Sequence, residues 1–170
     1  MPVPFRDVEP GASDQHAAYL RLVPDETGRE LLGALLIVTS IGEPLELTWA
    51  ELRAPVAVLC SDGRPGSHAA RMVAVALFEN CQTTPHLLLY REEEIPADLF
   101  EYRLRIGIPV VGVSAEDATA RWRWSSEVPD AGTAADVLLR GLVESDLLVE
   151  PFERAAAALN VVRQTGEGSP

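Results

Sequence analysis

The hydrophobic pattern of this chain changes its period once, near residue 55, and that change limits the possible folds more than any motif does. Before it, "AAYLRLV" (17–23), "LLGALLIVTS" (31–40) and "LELTW" (45–49) read as strands separated by the turn chemistry of "PDETGRE" and "IGEP". Such short connections predict an antiparallel meander. After it, the short apolar runs "PVAVLC" (55–60), "HLLLY" (86–90) and "PVVGV" (109–113) alternate with stretches at helical spacing. A helix capped by Ser67 would place Ala69, Val73, Ala76, Leu77 and Asn80 on one face. A second, in "PADLFEYRLRI", starts near Pro96 and groups Leu99, Tyr102 and Ile106. Alternation of this kind predicts parallel strands joined by crossovers.

"ATARWRWSSE" then supplies one more strand. Thr133 caps a helix ending near Glu144, and Pro151 opens another with Phe152, Ala155, Ala156, Leu159 and Val162 on its buried stripe. The fold class that follows is α/β: a mixed sheet with an N-terminal antiparallel meander, parallel βαβαβ units and two C-terminal helices. With 170 residues, one core is the expectation: an irregular arm over 1–16, a single domain over 17–164 and a flexible tail over 165–170.

Three antiparallel strands followed by alternating helices and strands resemble the ribonuclease-H-like superfold, by element order alone, from residue 17 to about residue 145. The nucleases of that fold carry a carboxylate in the middle of the first strand, where paired Mg²⁺ ions are held. Here that strand is "AAYLRLV", without an acid, and "PVAVLC" adds a strand to the pattern. The resemblance implies an architecture; function has to be argued from a site.

Charge and residue usage narrow the chemistry. Twenty-six acidic residues face 14 basic ones, a net charge of −12 that opposes binding to nucleic acid or anionic lipid. All 14 basic residues are arginine, so no P-loop lysine, Schiff-base lysine or lysine general base exists. Cys60 and Cys81 are too few for a disulfide framework, and His16, His68 and His86 lack metal-site spacing. No cofactor is called for. No apolar run approaches the ~20 residues that span a bilayer, and "MPVPFRDVEPG" has no secretory pattern, which leads to the expectation of a cytoplasmic protein.

Two places could carry function. If the runs at 55–60, 86–90 and 109–113 are parallel neighbours, their carboxyl ends form the edge where open α/β sheets bind ligands. Asp62, Glu92, Glu116 and Asp117 could there hold Mg²⁺, while Arg64 or Arg91 meets a phosphate and the helix start at Ser67 receives an anion. The plainer reading makes all of these solvated loop residues, and "REEEIP" (91–96) a solvated charge run. Cys60 lies four residues before Arg64, too close for a CX5R phosphatase cradle, and reads as an inert thiol. The second place is "RWRW": Arg121 and Arg123 fall on one face of a strand, Trp122 and Trp124 on the other. Tryptophans in the core and arginines in water is the simpler expectation; exposed tryptophans would instead mark a protein-binding face. The sequence therefore points first to an acidic interaction or accessory-subunit domain with a protein partner and no membrane contact. The alternative is an Mg²⁺-dependent or phosphate-ligand-binding hydrolase or nuclease-like enzyme working at the strand edge.

Overall fold

The computed structural model describes residues 3–4, 15–54, 60–61, 64–96, 98–115 and 120–166. Its strands are β1 (Val3–Pro4), β2 (His16–Pro24), β3 (Glu30–Thr39), β4 (Pro44–Arg53), β5 (Cys60–Ser61), β6 (Arg64–Pro65), β7 (Leu87–Arg91), β8 (Val110–Ser114) and β9 (Arg121–Trp124). The helices are α1 (Ser67–Asn80), α2 (Ala134–Glu144) and α3 (Glu150–Gly166), with one wide turn at Leu99–Arg103. The main sheet runs in the order β1-β4-β3-β2-β7-β8-β9. β2–β7 and β7–β8 are parallel, and the remaining pairs are antiparallel.

The expected mixed α/β architecture is present, with the meander leading into parallel strands and two helices following. The β2–β3 turn is fixed by Asp25, whose carboxylate accepts from the backbone N–H groups of Thr27 and Glu30 at 3.1 and 2.8 Å. Gly28 supplies the left-handed backbone (φ 66°) that this reversal needs. Period two then sorts β2 between two faces. Ala17 and Tyr19 enter the layer under α2 and α3, while Ala18, Leu20 and Leu22 enter the layer under α1. The central strands β2, β3, β7 and β8 are covered on both sides, which explains their near-continuous apolar sequence. Fully burying a leucine of this kind is worth roughly 1.5–3 kcal/mol, so both layers are substantial.

Several expectations are corrected. Of the run 55–60 only its end is described: Cys60–Ser61 pairs with Arg64–Pro65 in a separate ribbon, while β7 takes β2 and β8 as its neighbours. Residues 55–59 lie outside those described. "PADLFEYRLRI" does not make an ordinary helix. It closes one wide turn in which the Leu104 N–H donates to the Leu99 carbonyl at 2.7 Å, after which Leu104 is extended. Leu99 and Phe100 are buried there, whereas Tyr102 is 80% exposed. Ser67 is the first helical residue of α1 and Gly66 occupies the cap position. Val3–Pro4, inside the segment read as an arm, pairs with Leu47 and Glu46 of β4. No helix among the described residues is long and apolar enough to cross a membrane.

Candidate functional site

The carboxyl ends of β2, β7 and β8 lie side by side, and the tight turn that follows β7 directs three consecutive carboxylates to three different places. Glu94 and Ile95 donate backbone N–H bonds to the Arg91 carbonyl at 3.1 and 3.2 Å, closing that turn. Glu94 then reaches β2, where Arg21 grips its carboxylate with two guanidinium nitrogens. The third nitrogen of Arg21 donates to the Phe152 carbonyl in α3 at 3.0 Å. These side chains are only 12% and 18% exposed, so the pair ties three segments together away from water. Burial pushes the Glu94 carboxyl above its ordinary range, and Arg21 pulls it back.

Glu93 turns toward the end of β8, accepting from the Ser114 hydroxyl and the Ala115 N–H, both at 3.0 Å. Arg91 pairs with its other oxygen at 3.2 Å and with Glu153 of α3 at 3.3 Å. Burial works against the charged form of Glu93, but these donors hold its carboxyl below the usual value. Glu92 crosses β8 to pair with Arg123 on β9. Its path runs over Gly112, where a Cβ would stand 2.5 Å from Glu92 Oε1. The glycine leaves the trough in which the carboxylate lies.

"REEEIP" is therefore not a solvated run; each of its carboxylates is committed to a different neighbour. Arg91 is committed too. Among the described residues no group of three or more His, Cys, Asp or Glu side chains is placed to hold a metal ion. Asp62, Glu116 and Asp117 lie outside the described residues, as does the side chain of Arg64. The helix start expected to receive an anion already faces one. Ser67 donates to Asp98 at 2.8 Å, and Arg103 together with Ser67 holds the Asp98 carboxyl below its ordinary range. A fixed carboxylate thus answers the positive end of α1.

"RWRW" forms the terminal strand of the sheet, and its arginines are exposed as expected. Its tryptophans only half follow expectation. Trp124 packs partly buried against the layer under α2 and α3, but Trp122 is 42% exposed. The two indoles meet edge to face with centroids 6.1 Å apart. Among the described residues β9 has a strand neighbour on one side only, and Trp122 lies at that margin. Behind it, Tyr90 shares a 2.8 Å hydrogen bond with Ser125 and packs on Phe100 with centroids 5.1 Å apart. An open groove of about 410 Å³ lies beyond the other end of β9, between Ile106–Pro109 and Ser126–Asp130, away from the carboxylates.

The remaining polar candidates are structural. Cys81 Sγ donates to the Thr83 carbonyl at 2.9 Å, and burial with the nearby Glu46 charge pushes the thiol up to about 11. Buried Glu46 accepts from the N–H groups of Gln82 and Thr83 at 2.7 and 2.8 Å, fastening the loop after α1. His86 accepts from the His16 N–H through Nδ1 at 3.1 Å, joining the amino ends of β2 and β7. The Arg21–Glu94 pair was the main feature that sequence reasoning missed. Its one signal was an arginine inside an otherwise apolar strand, with the partner 73 positions away.

No protein-family model matches the chain, and no curated protein is similar to it in sequence. Among solved structures it is similar to endonuclease V from Bacillus subtilis, with 12% identity, a TM-score of 0.40, and coverage of 59% of this chain and 44% of that one. It is also similar to endonuclease V from Streptomyces avermitilis, with 11% identity, a TM-score of 0.39, and coverage of 65% of this chain and 50% of that one. The chain thus spans about half the length of the structures it matches.

Proposed function

We propose that this chain is a non-enzymatic interaction or accessory-subunit domain whose partner is a protein engaging β9. The observation that carries the reading is Trp122, 42% exposed and edge to face with Trp124 at the terminal strand of the sheet. Trp and Arg are the side chains that most often anchor protein interfaces, and here both types alternate on one accessible strand. The commitments of the acidic edge support the same reading. A divalent ion needs several free oxygen donors converging on a point, whereas Glu92, Glu93 and Glu94 diverge and each is held by an arginine.

The competing reading, an Mg²⁺-dependent hydrolase or nuclease-like enzyme, would use Glu92 with Asp62, Glu116 and Asp117. One experiment separates them: melting temperature and turnover with millimolar Mg²⁺ or Mn²⁺, a nucleotide panel and single- and double-stranded nucleic acids. The interaction reading expects no shift and no cleavage. A metal-dependent rise in melting temperature, or turnover that disappears in Glu92→Gln, would overturn it, because a ligand selective for the native state stabilises it.

A further inference from the structure

We infer that the outer side of β9 is a strand-docking edge, and that its partner is an extended segment with carboxylates along one side and apolar side chains along the other. This rests on the interaction-domain reading above and specifies the partner's chemistry. The backbone geometry comes first. Ser125 donates its N–H to the Val110 carbonyl at 2.8 Å, and the register pairs Val111 with Trp124 and Gly112 with Arg123. Along an antiparallel strand, successive residues turn their backbone groups to opposite sides. Arg121, Arg123 and Ser125 therefore face β8, and the N–H and C=O groups of Trp122 and Trp124 face outward. Among the described residues no strand lies on that side. An added strand would take those four groups as its ladder, the mode in which main-chain bonds give affinity and alternate side chains give selectivity.

The two faces of β9 then choose the side chains. On one, Trp122 and Trp124 continue the apolar layer to the edge of the sheet, so apolar residues of the incoming strand would lie beside indoles. On the other, Arg123 is paired with Glu92, while Arg121 makes no ion pair among the described residues. A carboxylate on the incoming strand beside Arg121 makes the favourable cross-strand pair. A second copy of this chain fits less well, because edge-to-edge pairing would bring together two molecules of net charge −12. That global charge also makes the inference distinctive. Bulk electrostatics favour a basic peptide on this protein; the local arginine face favours an acidic one.

The test uses blocked decapeptides of alternating Glu and Val, or alternating Lys and Val, at millimolar concentration, with amide hydrogen exchange read residue by residue. The Glu/Val peptide is expected to slow exchange several-fold at the Trp122 and Trp124 amides and to leave the Arg123 amide, already turned toward β8, unchanged. Equal protection from both peptides, protection from the Lys/Val peptide alone, or protection from neither refutes the inference. Trp122→Pro removes an outward N–H together with the indole, whereas Trp122→Val removes the indole alone, so the proline should abolish protection at Trp124 and the valine should keep it. Should the proline variant unfold, Arg121→Glu decides the matter: it must reverse the preference toward the Lys/Val peptide. Failure here leaves the interaction reading standing, since only metal-dependent turnover or metal-dependent stabilisation removes that.

Discussion

Replacing Arg21 by methionine puts the acidic edge under its most direct test. The guanidinium makes two bonds to Glu94 and one to the Phe152 carbonyl, and the ion pair is 12% and 18% exposed. Methionine preserves most of the side-chain volume but leaves the Glu94 carboxylate buried without a counter-charge. Removing one partner of a buried pair costs about 3–5 kcal/mol, and the residual exposure places this one near the lower limit, about 3 kcal/mol. For a domain of this size each kcal/mol moves the melting temperature by about 2–4 °C, so the expected fall is about 6–12 °C at pH 7.

The same variant has a pH signature. Burial already raises the Glu94 carboxyl in the folded state, and loss of Arg21 raises it further. A group whose folded pKa lies above its unfolded value contributes stability below the unfolded range, and that contribution is lost as pH rises through the folded value. The gap between Arg21→Met and the parent must therefore be widest near neutrality and narrow as the pH falls toward the ordinary glutamate range. Arg21→Met combined with Glu94→Leu should recover much of the loss, because an apolar pair can replace a buried ionic one. Urea melts at pH 4.5 and 7 measure both effects. A loss below about 1 kcal/mol, the range of an exposed pair, or a loss independent of pH would refute the claim that this pair is a buried lock.

Three further outcomes follow from particular contacts. A methyl at Gly33 would overlap Val73 Cγ1 and approach Leu77 Cδ1 to 3.0 Å, so Gly33→Ala should destabilise by about 1–3 kcal/mol. Val73→Ala should partly rescue it, and strictly additive denaturation midpoints would contradict that packing. Tyr19 donates to the Leu147 carbonyl from a buried position, so Tyr19→Phe should cost about 1 kcal/mol in the urea midpoint. Burial and the nearby Glu150 charge push the Tyr19 hydroxyl well above its ordinary value. Its contribution should persist to about pH 10 and decline only above that. With its thiol pushed up to about 11, Cys81 should alkylate much more slowly at pH 8 than an unstructured cysteine, as read by peptide mass mapping.

Local signals made most of the architecture legible. Period-two alternation located β2 and β4, a turn-bounded apolar run located β3, and the apolar runs at 86–90 and 109–113 located β7 and β8 to within a residue. Thr133 does precede α2, although its hydroxyl bonds back to the Asp130 carbonyl and the Asp136 side chain accepts from Gly132 instead. Features set by distant partners were hidden. Nothing near Arg21 announces Glu94, and nothing near Glu92 announces a trough at Gly112 leading to Arg123. The exposure of Trp122 depends on β9 being last in the sheet, a property of strand order to which alternation is blind. The wide turn at Leu99–Arg103 was misread as a helix because its first apolar residues carry helical spacing.

The division of the core between two sets of helices bears on the order in which it is completed. The layer containing Tyr19, Leu36, Leu89 and Val111 is covered by α2 and α3, both C-terminal to every strand. Among the described elements, a ribosome therefore delivers every strand before the helices that cover that face. Until about residue 134 emerges, the nascent chain carries one finished apolar layer and one bare one, the kind of intermediate most prone to wrong association. Arrival of α3 closes that face and brings the Phe152 carbonyl to Arg21, so this helix both shields the sheet and fixes its acidic edge.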